Sequence, residues 1–316
     1  MIAHKGIKGA IAQLGERLHG MQEVGGSIPP SSTKIINNEY NCLKMFIKLN
    51  HVLIATSLIF AVSVFPNDLI PNIKSTKSND IKSVMFVGHS FFYYNNSLHN
   101  HLGKLIKADP QIGDIKRRSI TINGSSLSWH NIESYLSNPN IGSFKIDANK
   151  DNSFIEYDET SLDAVIMADC SLCPIHPKTK ETFYSYVAKH SKTIRKNKAE
   201  PILFMTWGYK NKPTMYKKLK KEFLKVANLN NLLLIPAGEA FDLGNKSHPE
   251  INLYTTDNRH PSEEGTYLAA SVVFATLFGR STEGNIGVGN IEPSVAIKLQ
   301  RIADKTVSEF FNIQLK

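Results

Sequence analysis

The sequence predicts an α/β domain built on a parallel sheet, and three observations carry that prediction. From Ile81 onward short apolar runs alternate with helical patterns, which excludes a sandwich of paired strands. The runs number five, at 83–88, 118–123, 162–168, 201–207 and 231–236. Helical periodicity fills the gaps, at 97–107, 179–196, 213–229, 263–278 and 293–312. A length of 316 residues with 41% hydrophobic and 21% charged residues suits one sizeable domain with room for appendages. That domain is expected over 80–316, with the polar, Asn/Asp/Ser-rich span 137–159 as a surface excursion or irregular insertion.

The chain upstream follows a different logic. Met45-Phe-Ile-Lys-Leu-Asn-His leads into an apolar run from Val52 to Phe65, and Ala61-Val62-Ser63 offers small residues to a signal peptidase. At 14 residues the run is shorter than the roughly 20 needed to span a bilayer, so 45–65 reads as a signal peptide. The expectation is an exported, periplasmic or extracellular protein with no stable membrane span after processing. Residues 1–44 then precede a segment that belongs at an N-terminus, and Gly9 to Lys34 resembles a conceptually translated transfer-RNA gene. Residues 1–44 are thus expected to be a spurious or disordered extension, the alternative being a genuine one with a short helix at 11–18.

Charge excludes little. The formal net charge is +9, and +6 without residues 1–63, which hold six Lys/Arg and three Asp/Glu. No aromatic-basic motif accompanies the scattered cations, so no nucleic-acid partner is expected. Lys217-Lys218-Leu219-Lys220-Lys221 lies in a helical pattern and reads as a solvated face. Three Cys exclude a disulfide-built miniprotein.

Ligand sites of open parallel sheets form at the carboxyl ends of the strands. The first strand runs into Gly88-His89-Ser90-Phe91, which puts a hydroxyl on that edge. A serine is nearly inert without a base and an orienting acid. Asp257-Asn258-Arg259-His260-Pro261-Ser262 supplies both types three residues apart, ahead of an apolar, hence buried, helix. Taken alone, the same residues describe a capped helix entry with a surface histidine. Asn123-Gly124-Ser125-Ser126-Leu127 ends the second strand at a glycine, where a backbone N–H has unhindered access to a substrate oxygen, or where the chain simply turns.

Together these segments, across about 82–278, resemble the SGNH, or GDSL-like, hydrolase superfamily. The resemblance implies a three-layer α/β/α fold with a five-stranded, mostly parallel sheet in flavodoxin-like order. It implies Ser90 as nucleophile, His260 as base, Asp257 as its orienting acid, and an oxyanion hole from the amides of Ser90 and Gly124. The third block departs from the superfamily, which offers an Asn or a Gln-Glu pair there. Here the strand ends in Asp169-Cys170-Ser171-Leu172-Cys173-Pro174, and an ionised Asp169 repels an oxyanion. Ser171, or a backbone amide of its loop, is the remaining neutral donor.

Cys170 and Cys173 suit a local disulfide in an oxidising compartment, whereas Pro174 and Pro177 argue against a thioredoxin-like helix starting at Cys170. Two thiols make a poor zinc site, and His99 and His101 read as surface histidines on different helix faces, so no metal and no organic cofactor is expected. Tyr93, Tyr94, Trp207 and Tyr209 follow strand ends and are expected either to border a pocket for a sugar or acyl group, or to pack there. The sequence therefore points to an exported serine ester hydrolase acting through an acyl-enzyme on a carbohydrate or other small ester. The alternatives are a catalytically impaired glycan-binding relative, a thiol-disulfide protein and an acyl transferase.

Overall fold

The computed structural model describes residues 69–316 apart from 79, 143–144, 148, 150, 152 and 156–160. The expected extension over 1–44 and signal peptide over 45–65 lie outside the described residues. Strand β1 (Ser83–Gly88) is followed by a one-turn helix α1 (Ser90–Tyr93), α2 (Leu98–Ala108) and β2 (Lys116–Thr121). A 3-10 turn (Leu127–Trp129) and α3 (Ile132–Ser137) lead to the short strands β3 (Lys145–Asp147) and β4 (Ser153–Ile155). Then come β5 (Ala164–Met167), α4 (Lys180–Lys196), β6 (Glu200–Phe204), α5 (Met215–Leu229) and β7 (Leu233–Ile235). Helices α6 (Ala237–Ser247), α7 (Glu263–Phe278) and α8 (Pro293–Phe311) complete the chain.

The main sheet has the order β2-β1-β5-β6-β7 with every pair parallel, the flavodoxin-like arrangement. β1 is buried at all six positions, as a strand covered on both faces must be. Alternation divides it between two cores. Val84 and Phe86 join Ile166, Phe204 and Ile235 beneath α2, α6, α7 and α8. Met85 and Val87 join Val165, Leu203 and Leu234 beneath α3, α4 and α5.

Two sequence expectations change. The excursion at 137–159 is not irregular throughout, because β3 and β4 pair as an antiparallel hairpin. Helix α6 is an element that periodicity did not register, since Gly238 and Gly244 weaken its helical signal. No described helix is long and apolar enough to cross a membrane.

Helix α7 sets the geometry of the site. It is buried from Gly265 to Leu277, so its start is fixed by packing on all sides. The Ser262 hydroxyl caps it, accepting from the Gly265 amide at 3.0 Å and donating to the Asn252 carbonyl at 2.7 Å. A Cβ at Gly265 would lie 2.2 Å from the Leu253 carbonyl oxygen. Gly265→Ala is therefore expected to destabilise the fold by about 1–3 kcal/mol, read as a lower urea midpoint at unchanged slope.

Candidate active site

Ser90 is the first residue of α1, directly beyond the carboxyl end of β1. Its hydroxyl lies 2.8 Å from His260 Nε2, although 170 residues separate the two in sequence. On the other side of the ring, Nδ1 lies 2.5 Å from Asp257 Oδ2. Asp257 Oδ1 shapes the loop itself, accepting from the Arg259 amide at 2.8 Å, the His260 amide at 2.9 Å and the Thr255 hydroxyl at 2.8 Å. Burial pushes the Asp257 carboxyl up, but the His260 ring and these donors outweigh it and hold it well below the usual carboxylate range. One oxygen aims the imidazole while the other fixes the backbone that carries it.

The Ser90 side is tied to the His260 side at several further points. The Tyr94 ring stacks on His260 with centroids 4.1 Å apart and planes 3° apart, and Phe91 meets the same imidazole edge-on at 5.7 Å. Asn95 Nδ2 donates to the Pro261 carbonyl and to the Thr266 hydroxyl, both at 2.8 Å. Asn95, Asn96 and Ser97 all have positive φ, of 51°, 63° and 66°. Such a left-handed run is costly for residues other than glycine and is held by these bonds.

The expected third donor is placed differently from the first two. Ile122 N donates to the Gly88 carbonyl at 3.0 Å, which brings the turn at Asn123–Gly124 to the strand end that carries Ser90. Gly124 has φ 65° with open space around its Cα, so its backbone angle, rather than crowding, calls for glycine. Ser171 is engaged elsewhere, its hydroxyl 2.8 Å from the Tyr209 hydroxyl. Asp169 is fully buried, and its Oδ1 accepts from the Leu127 amide at 2.9 Å and the Cys170 amide at 2.7 Å. Burial pushes its carboxyl up, against those donors. Through Oδ1 this residue secures the loop that follows Gly124. Cys170 and Cys173 are joined in a disulfide.

Three sequence readings are corrected. Trp207 does not border a pocket: it is fully buried, sandwiched between Phe91 at 4.5 Å and Phe241 at 3.9 Å, and its Nε1–H donates to the Arg259 carbonyl at 3.0 Å. His101 is not a surface histidine, being 1% exposed with Nε2 2.8 Å from the Asn95 carbonyl. His99 is half-buried beside Phe86. The two do lie on different helix faces, one buried and one half-buried. Tyr93 is at the surface as expected, 37% exposed, with its hydroxyl donating to Asn123 Oδ1 at 2.9 Å, and Tyr209 is half-buried.

No family model matches the chain, and no curated protein does either. Solved structures do match. A DUF4886 family protein from Bacteroides uniformis is 21% identical, covers 75% of this chain and 98% of its own, and has a TM-score of 0.51. A candidate SGNH hydrolase from Slackia heliotrinireducens is also 21% identical, over 62% of this chain and 98% of its own, with a TM-score of 0.47. The acetyl xylan esterase AlAXEase is 14% identical over 61% and 98%, with a TM-score of 0.45. The chain shares its fold with the DUF4886 family protein.

Within this fold a buried polar network underlies the Gly124 loop, and no sequence motif announced it. His89 Nε2 lies 2.8 Å from the Asp169 carbonyl, His190 Nε2 2.9 Å from the Leu127 carbonyl, and His130 Nε2 2.9 Å from the Ser125 hydroxyl. Burial pulls His89, His99 and His130 each down to about 4. The native state thus refuses protons that the unfolded chain takes up below about pH 6.5. Stability is therefore expected to hold above that pH and to fall as pH drops from about 6.5 towards 4. Urea midpoints measured across that range check it, and His130→Asn is expected to make the fall shallower.

Proposed function

We propose that this chain is a serine ester hydrolase, on the single observation that Ser90, His260 and Asp257 form one connected line, with contacts of 2.8 Å and 2.5 Å. His260 Nε2 takes the Ser90 proton as Oγ attacks the ester carbonyl, and Asp257 holds the Nδ1–H tautomer that makes Nε2 an acceptor. The Ser90 amide begins a helix and so has no intrahelical acceptor, which leaves it for the oxyanion beside the Gly124 amide. His260 returns the proton to the departing alcohol. Water, deprotonated by the same ring, then attacks the acyl-enzyme and releases the acid and free Ser90.

The Tyr94 face against His260 favours the imidazolium formed in each step. The proposed setting is an exported protein acting on an acyl group carried by a carbohydrate, consistent with the leader-like segment and with the aromatic Tyr93 beside the Gly124 turn. Asp169 favours a second reading, a glycan binder without turnover, because no side-chain amide replaces the superfamily's third donor at that strand end.

Labelling with a serine-directed fluorophosphonate separates the two. Modification at Ser90 that is lost in His260→Ala is the expected result, and no modification of folded protein leaves the binder. With an ester substrate in hand, Asp257→Asn is expected to lower kcat about 10⁴-fold at little change in stability, by presenting the wrong tautomer.

A further inference from the structure

The chain has two tryptophans, and the fold treats them in opposite ways. Trp207 is fully buried, whereas Trp129 is 62% exposed on the 3-10 turn that follows Gly124. An exposed indole on a mobile loop would mean little. This one stands on a rigid frame. Leu127 is fully buried, its amide donating to Asp169 Oδ1 at 2.9 Å and its carbonyl lying 2.9 Å from His190 Nε2. Ser125 is fully buried too, and its hydroxyl donates to the Gly88 carbonyl at 3.1 Å while contacting His130 Nε2 at 2.9 Å. Burying a carboxylate and two histidines carries a desolvation cost that a simple surface turn does not require. What the network achieves is to fix both Gly124 and Trp129 relative to the strand end that carries Ser90.

The surroundings of the indole have a consistent chemistry. From Asn123 to Asn131 there is no Lys, Arg, Asp or Glu. Tyr93 is 37% exposed and bonded to Asn123, and with Trp129 it places two exposed aromatic rings on this side of the nucleophile. Among the described residues, no acceptor is bonded to the Trp129 indole N–H or to the Nδ2 groups of Asn123 and Asn131, whose Oδ1 atoms are engaged. Ser126 and Ser128 pair through their hydroxyls at 3.1 Å. An aromatic face ringed by uncharged amides and hydroxyls suits the apolar face and equatorial hydroxyls of a sugar ring.

We propose that Trp129 is the stacking platform of a glycan subsite, holding a neutral sugar of the ligand whose acylated position reaches Ser90. Trp129 is five positions on from Gly124, so the chain between them spans at most about 18 Å, within reach of an oligosaccharide seated at Ser90. The inference deepens the ester-hydrolase reading by assigning a binding residue to its carbohydrate, and it rests on that reading for the reaction but not for the binding.

The test uses the full chain in its Ser90→Ala form, so that binding is seen without turnover, on an array of neutral, acidic and acetylated oligosaccharides. Retention of neutral or acetylated glycans is expected. It should be weakened about tenfold or more by adding Trp129→Ala and largely retained with Trp129→Phe. Because Trp207 is buried, a shift of tryptophan emission on adding a retained glycan is expected to disappear with Trp129→Ala. Retention of no glycan, or equal retention by the Trp129→Ala form, overturns the subsite. So does self-association that Trp129→Ala abolishes in sedimentation, which would assign the indole to an interface between copies. Fluorophosphonate labelling distinguishes the two proposals. Labelled Ser90 without Trp129-dependent glycan binding sinks the subsite alone, and Trp129-dependent binding without labelling sinks the hydrolase alone.

Discussion

Burial of the parallel sheet on both faces is the constraint on which everything else depends. With helices covering both sides of β1, β5, β6 and β7, only the ends of the strands reach solvent, and polar chemistry collects at the carboxyl edge. Ser90, Gly124, Asp169 and Trp207 all follow strands of this one sheet. Their loops meet because the order β2-β1-β5 sets the first strand between the second and third of the sheet. His260 comes from no strand. It is delivered by the buried start of α7, whose position follows from packing rather than from local preference.

The distance between serine and histidine is then set by contacts from both sides. Trp207 has one face on Phe91, next to Ser90, and its N–H on the Arg259 carbonyl, next to His260. Asn95 reaches from the end of α1 to Pro261 and Thr266, and the Tyr94 ring lies flat on the imidazole. Two side chains on separate loops drift unless their supports are shared, and here the supports are shared. Asp257 completes the arrangement by dividing its two oxygens between the ring and the loop backbone.

The third strand end serves a structural purpose. Asp169 bonds the Leu127 and Cys170 amides, so the carboxylate that repels an oxyanion in a sequence reading instead organises the loop beside it. At the same end lie the Cys170–Cys173 disulfide and Ser171, whose hydroxyl is 2.8 Å from that of Tyr209.

Strand β1 was legible to the residue because it is apolar throughout and buried on both faces. The edge strand β2 begins two residues before its apolar run does, since Lys116 and Arg117 pair at the half-open rim where no hydrophobic signal marks them. Helix α6 was hidden because its glycines serve close packing, as at Gly238, where a Cβ would lie 2.4 Å from the Thr206 carbonyl oxygen. The sequence by itself determined the α/β class, the strand-end placement of Ser90 and Gly124, and the Asp257–His260 spacing, because these depend on local periodicity and on residues close in the chain. The tertiary structure alone decided that Ser90 meets His260, that Trp207 is buried while Trp129 is exposed, and that Asp169 faces inward. Those outcomes depend on which distant segments cover one another, and no local pattern encodes that.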